Sequence, residues 1–283
     1  MDGALRQRPG LPGPVASVLA ASRNDTLNRE RVSELLLQVP GLAARLMGVV
    51  NAPFFPIGEP VDSLASACLR LDSPTLERAI IASVLLGQFP PATGERFDRA
   101  AFWEHSVGVG VIAQTLAGAI GDDRQLAFTG GLLHDIGRLL LDVHFPREFR
   151  SILRYQRRHD TWIRDAEVAV LGIDHCALGA SAAEQWNLPA DVIEVIRYHH
   201  SPESGSIREG ATLTVHLADV LARGLEFGNP GDDTIPMLSQ VAMKRLGLNW
   251  EVLRWALLEA DPYLPTARQL VRSTVGAETS VSA

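Results

Sequence analysis

Most of the histidines in the chain fall into a pattern with aspartates that suits metal ions. Two consecutive side chains near a helix end point roughly 100° apart, so His134 and Asp135 can both reach one cation only if it sits over that end. Imidazole nitrogens and carboxylate oxygens form a ligand set that accepts iron, manganese, zinc or nickel. The candidate ligands are His105, His134, Asp135, His175, His199, His200 and Asp219.

These residues can be divided into two neighbouring sites. In the first, one ion is held by His105, His134, Asp135 and Asp219, with open positions for water and a phosphate oxygen. Such an ion lowers the pKa of its bound water and polarises a phosphoryl group. In the second, a further ion is held by His175, His199 and His200, with Asp135 as a bridge.

Each fragment of the pattern also has a simpler interpretation. A His-Asp pair is common at helix ends, and His199-His200 could stabilise a helix C-terminus through the helix dipole. Asp219 argues for a partner, because a carboxylate between apolar neighbours is costly to bury alone. His216, one helical turn earlier, could orient Asp219 as a donor from outside the ligand set.

Composition narrows the function classes further. The chain has 283 residues and a formal charge of −7. It therefore has no overall excess of basic residues, which nucleic-acid-binding proteins commonly have. Lys244 is the only lysine, which argues against a catalytic lysine. Two cysteines, Cys68 and Cys176, suit a reducing compartment, and neither a signal peptide nor a membrane span is apparent. The sequence therefore predicts a cytoplasmic protein without a membrane span.

The spacing of apolar residues is helical throughout, and no alternating strand pattern stands out. It predicts an all-α fold, in which one of the later helices covers Ile235–Leu246. The predicted organisation is a mobile leader (1–10), an N-terminal helical subdomain (11–90), a helical subdomain with the His/Asp centre (91–225), a C-terminal helical extension (226–272) and a mobile tail (273–283).

The chain resembles the HDOD family, the HD-related output domains of bacterial signalling. The similar segments are Leu11–Pro14, Pro40–Phe55, Phe102–Ser106, Gly130–Gly137, Asp174–Ala180, Trp186–Pro189, His199–Pro202 and Ala218-Asp219. The resemblance implies an N-terminal helical subdomain packed on an HD-like helical core. It also implies a regulatory module that contacts signalling protein partners and is related to metal-dependent phosphohydrolases.

The sequence departs from the related HD-GYP phosphodiesterases in two places. Ser201-Pro-Glu-Ser stands where the Gly-Tyr-Pro triplet would follow His199-His200, and Arg138 replaces the lysine after the His-Asp motif. Arginine can clamp a phosphate but cannot serve as a proton donor.

Three hypotheses remain. The first is a signalling module with a metal-binding or ligand-sensing centre. This hypothesis favours a protein that is not an enzyme. The second is a metal-dependent phosphohydrolase acting on a nucleotide or cyclic dinucleotide. In the third, the polar residues form a buried network without metal.

Overall fold

Helices account for the regular structure of the chain. The computed structural model describes residues 10–23, 29–39, 41–53, 55, 59–89, 97–205 and 209–276, and leaves aside the side chains of 209 and 273–276. None of these residues lies in a β-strand, which confirms the predicted all-α class. The α-helices are α1 (Gly13–Ser22), α2 (Arg29–Leu37), α3 (Leu42–Val50), α4 (Leu64–Arg70), α5 (Ser73–Gln88), α6 (Arg99–Ile120), α7 (Arg124–Leu133), α8 (Ile136–His144), α9 (Pro146–His159), α10 (Ile163–Leu171), α11 (His175–Gln185), α12 (Ala190–Tyr198), α13 (Glu209–Gly224), α14 (Gln240–Arg245), α15 (Trp250–Ala260) and α16 (Leu264–Gly276).

The described residues divide into two compact units. Residues 97–259 form one unit, called the His/Asp unit here because it contains every candidate ligand. Residues 11–89 form the other together with 260–276, so the predicted extension 226–272 is divided between the two. The predicted leader and tail lie outside the described residues, apart from Gly10 and the end of α16.

The second unit is a bundle in which α3 packs against α5 and α2 packs against α4. Its core consists of aliphatic side chains such as Leu36, Leu46 and Ile80, which are fully buried. Asn51, at the end of α3, accepts a hydrogen bond from the backbone N–H of Val61 at 2.8 Å and donates one to its carbonyl at 2.9 Å. These two bonds fix the connection between α3 and α4.

The His/Asp unit is built around α6, whose middle is buried on all sides and which packs against α7 and α13. Asp98 begins this helix by accepting hydrogen bonds from the backbone N–H groups of Ala100 and Ala101. A Cβ atom on Gly131 would lie 2.7 Å from the Cα atom of Gly110, so glycine at this crossing allows α6 and α7 to approach closely. This approach brings the two chain segments with His105 and His134 together.

One predicted helix is shorter in the structure. The helix expected over Ile235–Leu246 begins only at Gln240, where the side chain of Ser239 accepts a hydrogen bond from Ala242 N–H. A proline disfavours helical angles at the residue before it, so Pro236 opposes a start at Ile235, and the cap at Ser239 sets the start at Gln240. Residues 225–239 therefore form a long segment without helix between α13 and α14.

Among the described residues, no single helix is both long and apolar enough to cross a membrane. Two successive helices, α10 and α11, reach that length and composition only as a pair bent by 72°.

Candidate metal centre

The adjacent residues His134 and Asp135 lie at the break between α7 and α8. His134 still has right-handed helical angles, whereas Asp135 leaves them with φ −99° and ψ 13°. A Cβ atom on Gly137 would lie 2.0 Å from the carbonyl oxygen of His175, so the start of α8 rests directly on the start of α11. The break thus directs the side chains of His134 and Asp135 to one buried centre. The contact with α11 places a third candidate ligand, His175, beside them.

Four further helices supply the other candidate ligands. His105 lies on α6 and Asp219 on α13, while His199 and His200 follow the last residue of α12. His175 begins α11, where the carboxylate of Asp174 caps the helix by accepting a hydrogen bond from Ala177 N–H. The structure thus brings all seven predicted residues into one centre, and six of them are at most 1% exposed while His200 is half-buried.

His105, His134 and Asp219 form one group of ligand atoms, called cluster A. Asp219 Oδ1 lies 3.1 Å from His105 Nε2 and 3.7 Å from His134 Nε2. One ligand atom from each residue lies within 4.8 Å of the others. This compactness is what a single cation with nitrogen and oxygen ligands requires.

His175, His199 and His200 form a second group, called cluster B. His175 Nε2 lies 3.2 Å from His200 Nε2. Cys176 also joins this group, with Sγ 3.9 Å from His199 Nε2. The only sequence signal for this contact is that Cys176 directly follows His175 in the first turn of α11.

Asp135 lies between the two clusters. Its Oδ2 is 3.5 Å from His134 Nε2 of cluster A. Its Oδ1 is 3.0 Å from His175 Nε2 and 3.3 Å from His199 Nε2 of cluster B. The two oxygens of one carboxylate therefore face different clusters, which is the geometry of a bridging ligand.

Hydrogen bonds at the outer nitrogens fix the orientation of three histidine rings. The Nδ1 atoms of His134 and His199 donate to the carbonyls of Gly131 (2.6 Å) and Ile196 (3.0 Å), and His175 Nδ1 donates to Glu167 Oε2 (2.6 Å). Because these acceptors carry no hydrogen, the proton of each neutral ring is on Nδ1. In its neutral form, each ring then presents the Nε2 lone pair toward the centre, as metal-binding histidines do.

Both central carboxylates are ionised. Burial would raise the pKa of Asp135, but Arg138 and the surrounding histidines outweigh burial and hold it well below its usual range. Burial opposes Arg223 and the two histidines of cluster A in the same way at Asp219, whose pKa is also well below its usual range. The centre therefore contains two anionic ligands.

The histidines respond to these charges in two ways. Burial lowers the pKa of His105, and burial with the neighbouring rings lowers that of His200 well below its usual range, so both are neutral. Burial also opposes protonation of His199, but Cys176 and Asp135 outweigh it and raise the pKa to about 9. A proton on this ring balances charge that a metal cation would otherwise balance.

The residues present fit a metal ion. Asp135 Oδ2 and His134 Nε2 are buried without a hydrogen-bond partner, and the buried Oδ1 of Asp135 faces the ring nitrogens of His175 and His199. Unpaired buried polar atoms of this kind are costly. An electron-rich nitrogen 3.0 Å from an electron-rich oxygen, as between His175 and Asp135, is stabilised by a cation or a proton between them.

Two arginines and a third aspartate surround the centre. Arg138 Nη1 donates to Asp232 Oδ2 and Arg223 Nη1 donates to Asp232 Oδ1, both at 2.8 Å. Arg223 Nε also donates to Asp219 Oδ1 at 2.8 Å. Arg223 and Asp232 were not among the predicted site residues, although the spacing of Asp219 and Arg223 by four residues on a helix is a recognisable pairing signal.

The two residues predicted to act outside the ligand set have different positions. Arg138 is buried, with Nε 3.4 Å from Asp135 Oδ2. The prediction that His216 orients Asp219 is wrong: its Nδ1 donates to the carbonyl of His199 at 2.9 Å. The last carbonyls of a helix such as α12 have no partner within the helix, and His216 satisfies one of them.

A small space adjoins the centre at His200. A cavity of about 10 Å³ lies between His200, the two arginines and the surface, and it is lined further by Trp162, Arg164 and Asp232. This volume is close to that of one water-sized probe. A nucleotide does not fit there.

Comparisons with known proteins agree with this fold. A proposed phosphohydrolase from Shewanella amazonensis SB2B has 26% identity and a TM-score of 0.74 over 95% of this chain and 98% of that one. An HDOD domain protein with unknown function from Geobacter sulfurreducens has 23% identity and a TM-score of 0.71, over 96% and 97%.

A sequence relative extends the similarity almost to full length. An uncharacterized protein from Treponema pallidum (strain Nichols) is 24% identical over 273 residues, which are 95% of this chain. The chain spans about half the length of that relative. Residues 9–202 match the model of the HDOD domain, and the chain belongs to the HDOD domain family.

Proposed function

We propose that the chain is a regulatory module of bacterial signal transduction whose His/Asp centre binds divalent metal ions and which acts through protein partners. The observation that carries the metal part of the proposal is Asp135. Its two oxygens are buried and face histidine nitrogens on two sides, and Oδ2 has no hydrogen-bond partner. Divalent iron, manganese, zinc or nickel would satisfy these atoms together.

Two ions would share this carboxylate. His105, His134 and Asp219 would hold one together with Asp135, and His175, His199 and His200 would hold the other together with the same aspartate. The bound ions would supply Lewis-acid chemistry and neutralise the two ionised aspartates. Arg138 and Arg223 hold these carboxylates in place from the outside.

The closed surroundings of the centre favour regulation over turnover. Its ligands are almost fully buried and the space beside His200 holds about 10 Å³. The five segments that supply the ligands come from α6, the α7–α8 break, α11, α12 and α13. Metal binding would therefore link these segments and stabilise the folded unit by mass action, which is the kind of change that a partner protein can detect.

A metal-dependent phosphohydrolase acting on a nucleotide or cyclic dinucleotide is the second candidate. It is favoured by the full ligand set of both clusters and by two arginines beside them, since metal ions and arginine together stabilise phosphoryl groups. For this candidate the arginines would have to be released from Asp232.

The cytoplasm is the location that fits the cysteines. Cys68 and Cys176 are both free and buried, and they do not form a disulfide with each other. A thiol in cluster B would persist as a ligand only in a reducing compartment.

Metal analysis of protein purified without chelator tests the proposal. We expect up to two divalent ions per chain, and loss of both in Asp135→Ala because that carboxylate belongs to both sites. Asp142→Asn is the matched control, since Asp142 binds Arg99 instead of a candidate ligand. Metal-free wild-type protein, or equal metal content in Asp135→Ala, would contradict a metal centre.

A hydrolysis assay separates the two candidates. Cyclic dinucleotides and nucleotides are incubated with the protein in Mn²⁺ or Fe²⁺. The regulatory proposal expects no turnover above that of Asp135→Ala. Turnover by wild type and Asp142→Asn that is absent in Asp135→Ala would establish the phosphohydrolase instead.

A further inference from the structure

The segment between α13 and α14 inserts an acidic side chain beside the His/Asp centre. Asp232 is 9% exposed and lies between the guanidinium groups of Arg138 and Arg223, which are themselves 1% and 7% exposed. Each oxygen of its carboxylate accepts a hydrogen bond of 2.8 Å from a different arginine. This is a buried two-arginine site for an oxyanion, and a side chain of the same chain occupies it.

The same arginines also face the candidate metal ligands. Arg138 Nε and Arg223 Nη2 have no hydrogen-bond partner and lie 3.4 Å and 3.6 Å from Asp135 Oδ2. The arginine pair therefore stands between Asp232 on one side and Asp135 on the other. An anion that replaced Asp232 would lie beside the centre that Asp135 bridges.

The start of the segment is fixed against α6. A Cβ atom on Gly228 would lie 2.2 Å from His105 N, and the backbone N–H of Asn229 donates to the carbonyl of Ala101 at 2.9 Å. Gly231 follows with a φ of 103°, which side chains rarely allow. The chain can therefore turn at Gly231 while the residues before it remain anchored, and Asp232 is the next residue.

A larger cavity lies on the outer side of Asp232. It measures about 870 Å³ and is lined by residues of the 229–234 segment, the start of α6 and the end of α9, which contribute Arg157 and the carboxylates of Asp98, Asp160 and Asp233. Its size is in the range of small-molecule sites. Asp232 and Thr234 line both this cavity and the small space beside His200.

We propose that Arg138 and Arg223 form a binding site for a phosphate-class oxyanion and that Asp232 is its internal competitor. A phosphate group offers oxygens to both guanidinium groups as the Asp232 carboxylate does, with more negative charge. Binding requires Asp232 to leave, which moves the 232–239 segment toward solvent. The proposal extends the proposed function by assigning a ligand class beside the metal centre, but the arginine site itself needs no metal.

Asp232→Asn tests this competition because it removes the charge and keeps the size. Inorganic phosphate is titrated into chelator-treated wild-type and variant protein at constant ionic strength, with calorimetry and thermal unfolding as readouts. We expect phosphate to bind the variant about tenfold or more tightly than wild type and to raise its Tm in a saturable way. Asp142→Asn, which likewise removes a carboxylate charge beside an arginine, is the matched control and gains no phosphate affinity.

Two outcomes with the single variant Asp232→Asn overturn the proposal. One is equal phosphate affinity in wild type and Asp232→Asn. The other is an Asp232→Asn protein that fails to fold with and without phosphate, because phosphate should replace the missing carboxylate. The double variant with Asp232→Asn and Arg223→Gln should have lost the phosphate affinity of Asp232→Asn. If the double variant still bound phosphate, the anion would lie elsewhere.

Metal content is measured on the same preparations before chelation. Metal-free protein whose Asp232→Asn variant binds phosphate would contradict the metal centre alone. Metal-loaded protein whose variant binds no phosphate would contradict the anion site alone.

Discussion

Glu167 accepts two hydrogen bonds from His175 through a single oxygen. Oε2 lies 2.8 Å from the backbone nitrogen of His175 and 2.6 Å from its Nδ1. The glutamate belongs to α10 and is fully buried. It therefore fixes both the start of α11 and the ring that faces Asp135.

Glu167→Gln should weaken metal binding at cluster B. Replacing the carboxylate lowers the basicity of His175 and offers an amide donor where two donors already point. Loss of such an outer partner costs about 10–100-fold in metal affinity. Competition with a chromogenic chelator measures the metal affinity. It should be lowered for one of the two ions, the one at cluster B.

Glu184→Gln is the control for that variant. Glu184 forms an exposed ion pair with Arg197 near the other end of α11, so its loss should leave metal affinity unchanged. Equal affinities in wild type and Glu167→Gln would show that the glutamate is needed only for the fold.

The sequence predicted the ligands better than the groups that hold them. His134 with Asp135 and His199 with His200 are recognisable because they are adjacent and because their order resembles a known family. Glu167 is an ordinary residue of an amphipathic helix, and its importance arises only from the packing of α10 near α11. Local spacing contains no such long-range information.

Asp232 and His216 illustrate the same limit. Asp232 lies in a segment of turn residues, where a carboxylate is expected to be solvated, yet tertiary contacts bury it between two arginines. His216 is one turn from Asp219 along α13, but its ring bonds to the end of α12. The all-α class was predictable because helical periodicity is a local property, whereas these contacts are not.

The two metal sites should be separable by mutation. Asp219→Asn removes the anionic ligand of cluster A, and His200→Ala removes a half-buried ligand of cluster B. We expect each variant to retain about one ion per chain by elemental analysis of intact folded protein, and the double variant to retain none. Loss of both ions from either single variant would instead indicate one shared site.

The thiol of Cys68 should make the free energy of unfolding depend on pH in the alkaline range. Burial raises its pKa from 9.0 to about 11, against a smaller opposing effect of Arg29. Between these values the unfolded chain loses the proton while the folded chain keeps it, so the free energy of unfolding falls as the pH rises from 9 to 11. Urea unfolding of Cys68→Ala across this range should show a shallower decline. Identical slopes would contradict the raised pKa.

Gly137→Ala should disturb both stability and the metal centre. The added methyl group would meet the carbonyl of His175, with its carbon 2.0 Å from the oxygen, and neither backbone can move without separating α8 from α11. Such overpacking costs about 1–3 kcal/mol or more in the free energy of unfolding. Gly224→Ala is the matched control, because nothing lies within 4 Å of its added atom. Urea unfolding should show a loss of stability, and chelator competition a loss of metal affinity, in Gly137→Ala and not in Gly224→Ala. Wild-type values of both quantities in Gly137→Ala would rule out the close contact.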